Sequence, residues 1–96
     1  MFIEGESYSN FKQTYIELKS LSIKLNAISN GQKNDNLKAF VLFNDNKSKA
    51  EIFLPKNHQG IVLDIITNGN WSNQDYLLIS WKGYVLQKKG IPIFGG

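Results

Sequence analysis

The sequence predicts an all-β domain, a small antiparallel sandwich or barrel of about seven strands with room for one short N-terminal helix. Three observations predict it. Apolar and polar residues alternate over short runs, turn residues separate the runs every eight to twelve positions or so, and two runs are apolar on both faces. The length agrees: 96 residues with no internal repeat and no linker rich in Pro, Gly or Ser make one β-rich domain spanning 1–96. A chain of this size buries roughly two thirds of its unfolded surface, enough for a core without staples.

The elements follow in order. Ser9 to Ser20 admits two readings, because Phe11, Tyr15 and Leu18 fall at helical spacing behind Ser7, Ser9 or Asn10 as a cap, while Thr14 to Leu18 alternates as a strand does. The alternation carries slightly more weight. Leu21, Ile23, Leu25 and Ala27 then alternate with Ser22, Lys24 and Asn26, the pattern of a half-buried strand, and the polar stretch Ser29 to Asn36 reads as a loop. Leu37 to Phe43 and Lys49 to Leu54 form a hairpin across Asn44-Asp45-Asn46-Lys47-Ser48, with Ala50, Ile52 and Leu54 in phase and Pro55 as its stop. Ala39 to Phe43 and Ile61 to Ile66 are the strands expected to be covered on two sides.

Gly69 to Asp75 reads as a polar loop around Trp71. Tyr76 to Trp81, a turn at Lys82-Gly83, Tyr84 to Gln87, a turn at Lys88-Lys89-Gly90 and a last piece from Ile91 to Phe94 complete the chain. Adjacent hairpins pair antiparallel, so the second half is expected to be a meander, with Pro92 on an edge where no ladder donor is needed.

Composition narrows the chemistry by exclusion. All eleven basic residues are lysines, against eight acids and a net charge of +3; there is no arginine and no cysteine, and His58 is the only histidine. A disulfide framework, a thiolate zinc site, a cysteine nucleophile and a bidentate arginine clamp are therefore ruled out. His58 lies in the turn Pro55 to Gly60 with no nucleophile or carboxylate beside it. Asp35, Asp45, Glu51, Asp64 and Asp75 show no metal-ligand spacing. The loop from Asn44 lacks the glycine and glutamate of a calcium loop, having Lys49 and Pro55 in those places. Neither a metal nor a cofactor is expected, nor a catalytic residue. Asp64, an acid in an apolar run, is expected to point outward or to meet a lysine. No apolar run reaches the roughly 18 to 20 residues that span a bilayer, and the first residues lack a secretory signal, which points to a cytoplasmic protein with no membrane partner.

An estimated pI near 9.2 raises the question of nucleic acid, since Lys12, Lys19, Lys24, Lys82, Lys88 and Lys89 could interleave with Tyr15, Trp81 and Tyr84 on a barrel face. The absence of arginine and the even spread of lysines argue against it and for a solvated face.

The stretch Asp75-Tyr76-Leu77-Leu78-Ile79-Ser80-Trp81-Lys82-Gly83-Tyr84 resembles the second-strand signature of chromodomains. That resemblance implies that Trp81 and Tyr84 would be walls of a methyl-lysine cage. It covers ten of the 96 residues, and the Trp-Glu-Pro segment and C-terminal helix that follow in the family have no counterpart from Val85 to Gly96. We read it as a convergent hairpin that marks an aromatic cluster. Gly95-Gly96 is similar to the tail of ubiquitin-like modifiers and sulfur carriers, but no amphipathic helix follows the first hairpin, and a frayed end accounts for both glycines.

Trp71, isolated among polar residues, is expected to fold back onto the core, with an exposed anchor as the other reading. These features predict a non-catalytic binding module for a protein partner, an interaction or inhibitor domain open to self-association, with Trp71, Trp81, Tyr84 and Lys82 as its contact residues. The alternative is a small-ligand or carbohydrate-binding, lectin-like protein in which the same aromatics stand beside Asn and Gln donors.

Overall fold

The computed structural model describes residues 6–21, 23–29, 32–55, 59–67, 69–80 and 82–96; His58 and Trp81 lie outside them. Ten strands and one short 3-10 turn run in the order β1 (Glu6–Ser9), β2 (Thr14–Glu17), the 3-10 turn (Leu18–Ser20), β3 (Ile23–Ser29), β4 (Gln32–Phe43), β5 (Lys49–Phe53), β6 (Ile61–Thr67), β7 (Asn70–Ser72), β8 (Tyr76–Ser80), β9 (Tyr84–Lys88) and β10 (Ile91–Gly95). The all-β class stands. β3 to β10 form a closed antiparallel meander, each strand pairing with the next and β10 returning to β3 through Phe94 opposite Ala27 and Gly95 opposite Asn26. β1 and β2 make a separate two-stranded sheet.

The interior follows the alternation read from the sequence. Leu25, Ala39, Val41, Ala50, Ile52, Leu63, Trp71, Leu78, Leu86 and Phe94 are buried in one cluster. Eight strands enclose a space that side chains of this size fill, so the barrel is built around a packed core. Among the described residues, every buried side-chain nitrogen or oxygen has a hydrogen-bond partner.

Several expectations are corrected. The stretch Ser29 to Asn36 is no simple loop, because β3 continues to Ser29 and β4 begins at Gln32. Asn26 faces Lys38 while Ala27 faces Asn34, so extra residues of β4 bulge out there. β5 pairs with β4 only from Phe40 onward, so this ribbon extends past the β4–β5 ladder. Strand pairing at such a place needs no apolar alternation, and that is why composition alone reads it as loop. Asn70 to Ser72, also read as loop, is a strand whose single inward residue is Trp71. Three residues are too few to display a period of two.

Pro92 faces Gln87 of β9 but has no partner on β3, whose ladder with β10 holds only Phe94 and Gly95, so it lies on a locally unpaired flank where no ladder donor is needed; Phe94 faces Leu86, so Ile93 is an extra residue at a bulge. Gly95-Gly96 is not frayed. Gly95 is buried in β10, and Gly96 donates its N–H to the carbonyl of Tyr84 at 3.1 Å and accepts from the amide of Tyr84 at 3.3 Å. The β8–β9 connection is one residue longer than expected, Ser80 facing Tyr84, while Lys88 ends β9 and leaves Lys89-Gly90 as a two-residue turn. Asp64 points outward and also pairs with Lys49, so both of its expected fates hold. The coverage expected for Ile61 to Ile66 fails at its second half, where Asp64, Ile65 and Ile66 are all exposed.

Candidate functional site

One end of the barrel gathers most of the chemistry. The β4–β5 loop, the β6–β7 turn and the β8–β9 turn all lie at this end, and the tip of the β1–β2 hairpin lies beside it. Phe43 is the last residue of β4, in phase with Ala39 and Val41; Tyr84 is the first of β9, in phase with Leu86. With Trp71 they form a trio of rings, with centroids at 4.8 Å for Phe43 and Trp71, 5.5 Å for Phe43 and Tyr84, and 6.3 Å for Trp71 and Tyr84. Tilted packing at these separations contributes beyond area burial.

The β4–β5 loop is tied down onto that trio. The Trp71 indole N–H donates to the carbonyl of Lys47 at 2.8 Å. Asn44 accepts from the Lys49 amide through Oδ1 at 3.0 Å and donates to Ser48 Oγ at 3.0 Å, while Asn46 Oδ1 accepts from the Ser48 amide at 3.1 Å. The loop therefore has a fixed shape, and the Lys47 ammonium sits 5.4 Å from the Phe43 ring centroid.

Beside the trio the β6–β7 ladder carries a bulge. Ile65 faces Trp71 and Thr67 faces Asn70, so Ile66 has no partner in register. Bulges re-aim side chains, and this one leaves Ile65 43% and Ile66 60% exposed. A cleft of about 390 Å³ opens between the hairpin tip and the β4–β5 loop, lined by Phe11, Lys12, Leu42, Phe43, Asn44, Asp45 and Asn46.

Of the residues expected to make contact, Trp71 and Tyr84 are brought together, but inward. Trp71 is 4% exposed and is a core residue that supports the loop. Lys82 is exposed in the neighbouring turn at φ 50°, followed by Gly83 at φ 100°, where an added Cβ would collide with the Gly96 carbonyl. The chromodomain-like hairpin exists as β8 and β9, but as part of a closed barrel, with Tyr84 turned onto Phe43 and Trp71. Sequence reasoning missed Phe43, whose signal was its phase with Val41, and Ile66, whose bulge has no local signal.

It also missed Glu51. Ala50 and Ile52 point into the barrel, so Glu51 projects from the outer side of β5, yet it is fully buried. Ser9 Oγ donates to one carboxylate oxygen at 2.6 Å and the Asn10 amide to the other at 2.5 Å. Around this pair the Gly60 amide donates to the Tyr8 carbonyl at 2.9 Å, and Asn10 Nδ2 donates to the Gly60 carbonyl at 2.9 Å. A Cβ at Gly60 would fall on the Glu51 carboxylate, so glycine is required for the close approach. A buried carboxylate is tolerated only with such donors, and here they come from the β1–β2 hairpin, which is thereby strapped to the barrel.

The fold and these two features define a class: a closed up-and-down β-barrel strapped by its own N-terminal hairpin, with one loop-bearing end left open to solvent. Comparison with family models, with curated proteins and with solved structures finds no match to this chain. Among the described residues no helix is long and apolar enough to cross a membrane.

Proposed function

We propose that the chain is a non-catalytic binding module and that the open end of the barrel is its contact surface for another protein, a second copy included. The observation that carries this reading is the pair Ile65 and Ile66, exposed at a bulge where Ile65 faces Trp71 of the ring trio and Ile66 turns to the outer wall beside Ser72 and Leu77. A fixed backbone with solvent-facing apolar side chains loses little entropy on association, which is what an interface centre needs. The apolar, amide and ammonium groups gathered here suit contact. Light scattering and crosslinking in a native extract, with wild type and Ile66→Asp, test the reading. Loss of a defined partner or of self-association in the variant supports it, and an unchanged species overturns it.

The cleft beside the β4–β5 loop favours a second reading. Its volume is that of a small-molecule site, and two phenyl rings stand there with the Asn44, Asp45 and Asn46 side chains, the apparatus a small polar ligand or a sugar would use. Titration of the intrinsic tryptophan fluorescence with a panel of sugars and nucleotides checks it; a flat response across the panel counts against it.

A further inference from the structure

The cleft between the hairpin tip and the β4–β5 loop has an apolar floor and two anchored walls. Val41 points into the barrel, so Leu42 faces outward, opposite Glu51 in register, and forms the floor beside the strap. The hairpin tip supplies one wall with Phe11 and Lys12, and the loop supplies the other with Asp45 and Asn46. Ser9 Oγ, which donates to the Glu51 carboxylate, also accepts from the Lys12 amide at 3.1 Å, and the Gln13 amide donates to the Ser9 carbonyl at 2.8 Å. The first wall is thus tied to the barrel, and the bonds from Asn44 and Asn46 to Ser48 and Lys49 hold the second.

The two walls carry opposite charges that the fold does not use. Lys12 and Asp45 are exposed, and among the described residues neither side chain has a hydrogen bond or an ion pair, either with the other or with a third group. The other cation of the loop, Lys47, is engaged with the Phe43 ring. An ammonium and a carboxylate on opposite walls of one cleft, too far apart to pair, are matched by a ligand that carries both charges itself.

We infer that this cleft takes a free amino acid with an apolar side chain, its carboxylate on the Lys12 ammonium, its ammonium on the Asp45 carboxylate and its side chain against Phe11 and Leu42. This rests on the small-ligand reading of the same cleft. The volume of about 390 Å³ lies near the small end of ligand sites, which run from about 300 to 1,000 Å³, and suits a single zwitterion. A sugar would leave both charges unused, and a nucleotide would set its phosphates against Asp45.

The test titrates the isotope-labelled full chain with L-phenylalanine, its N-acetyl derivative, its amide and glucose, and follows the backbone amide shifts. L-phenylalanine should perturb residues 11–12 and 42–46, and removing either charge from it should weaken binding about fivefold, the effect of one exposed ion pair. Asp45→Asn should erase the difference between phenylalanine and its N-acetyl derivative, and Lys12→Gln the difference between phenylalanine and its amide, which a merely structural role would not do. Both variants should keep the wild-type melting temperature, because neither side chain has a partner among the described residues; should one fail to fold, the ligand comparison on the wild type decides alone. Equal affinity for phenylalanine and its two capped forms, or perturbations confined to other parts of the barrel, would overturn the inference. If glucose perturbs the cleft and phenylalanine does not, the small-ligand reading survives and the amino-acid inference fails; a cleft silent toward all four probes overturns both.

Discussion

On the outer side of β5 the chain buries a carboxylate under its own hairpin, whereas at the adjoining end of the barrel it leaves two isoleucines and three lysines in solvent. Each arrangement reverses what side-chain polarity alone would give. The buried Glu51 is stable because hydroxyl and amide donors replace its water, so it acts as a fixed point for docking β1 and β2. Ile65 and Ile66 have no such internal compensation, since covering them would add apolar burial and no segment among the described residues does so. The first departure serves the fold itself; the second has its natural explanation outside the molecule.

Breaking the strap should give the largest effect. Glu51→Ala removes the acceptor for Ser9 and for the Asn10 amide and is expected to cost about 3 kcal/mol, seen as a lower urea midpoint, while Glu51→Gln keeps part of the network and costs less. Gly60→Ala, which pushes a methyl group into the same carboxylate, should cost about 2 kcal/mol in that measurement. At the open end, Trp71→Phe removes the bond to the Lys47 carbonyl while keeping a ring among Phe43 and Tyr84. It should cost about 1–2 kcal/mol and speed hydrogen exchange in the 44–48 loop. Smallest of all on stability, Ile66→Ser should shift the folding free energy by no more than about 0.5 kcal/mol while weakening partner capture. A large loss of stability there would mean that Ile66 serves the fold and that the two regions do not differ in kind.

The two regions also differed in how readily their sequences could be read. Strands whose inward residues repeat over five positions or more were legible, as with Leu25 and Ala27 in β3 or Ala50 and Ile52 in β5. Closure was not, because the pairing of Gly95 with Asn26 joins residues far apart in the chain and leaves no local mark. Trp71 was singled out correctly as unusual, and the expectation that it folds back agrees with its burial, but its strand was too short to see. Glu51 had a faint signal: it shares the outward phase of β5 with Phe53, and a phenylalanine on an outer face implies that something covers it. The Ile66 bulge depends on register between two strands, which single-strand patterns do not encode.

The most direct test of this division of labour is a paired measurement of folding stability and of partner capture or self-association in Glu51→Gln and in Ile66→Asp, under conditions where all three proteins are folded. Glu51→Gln should lower the urea midpoint and leave the affinity unchanged, and Ile66→Asp should do the reverse, losing affinity with its midpoint nearly unchanged. If both variants move stability and affinity together, the strapped wall and the open end are one cooperative unit, and the account given for them is wrong.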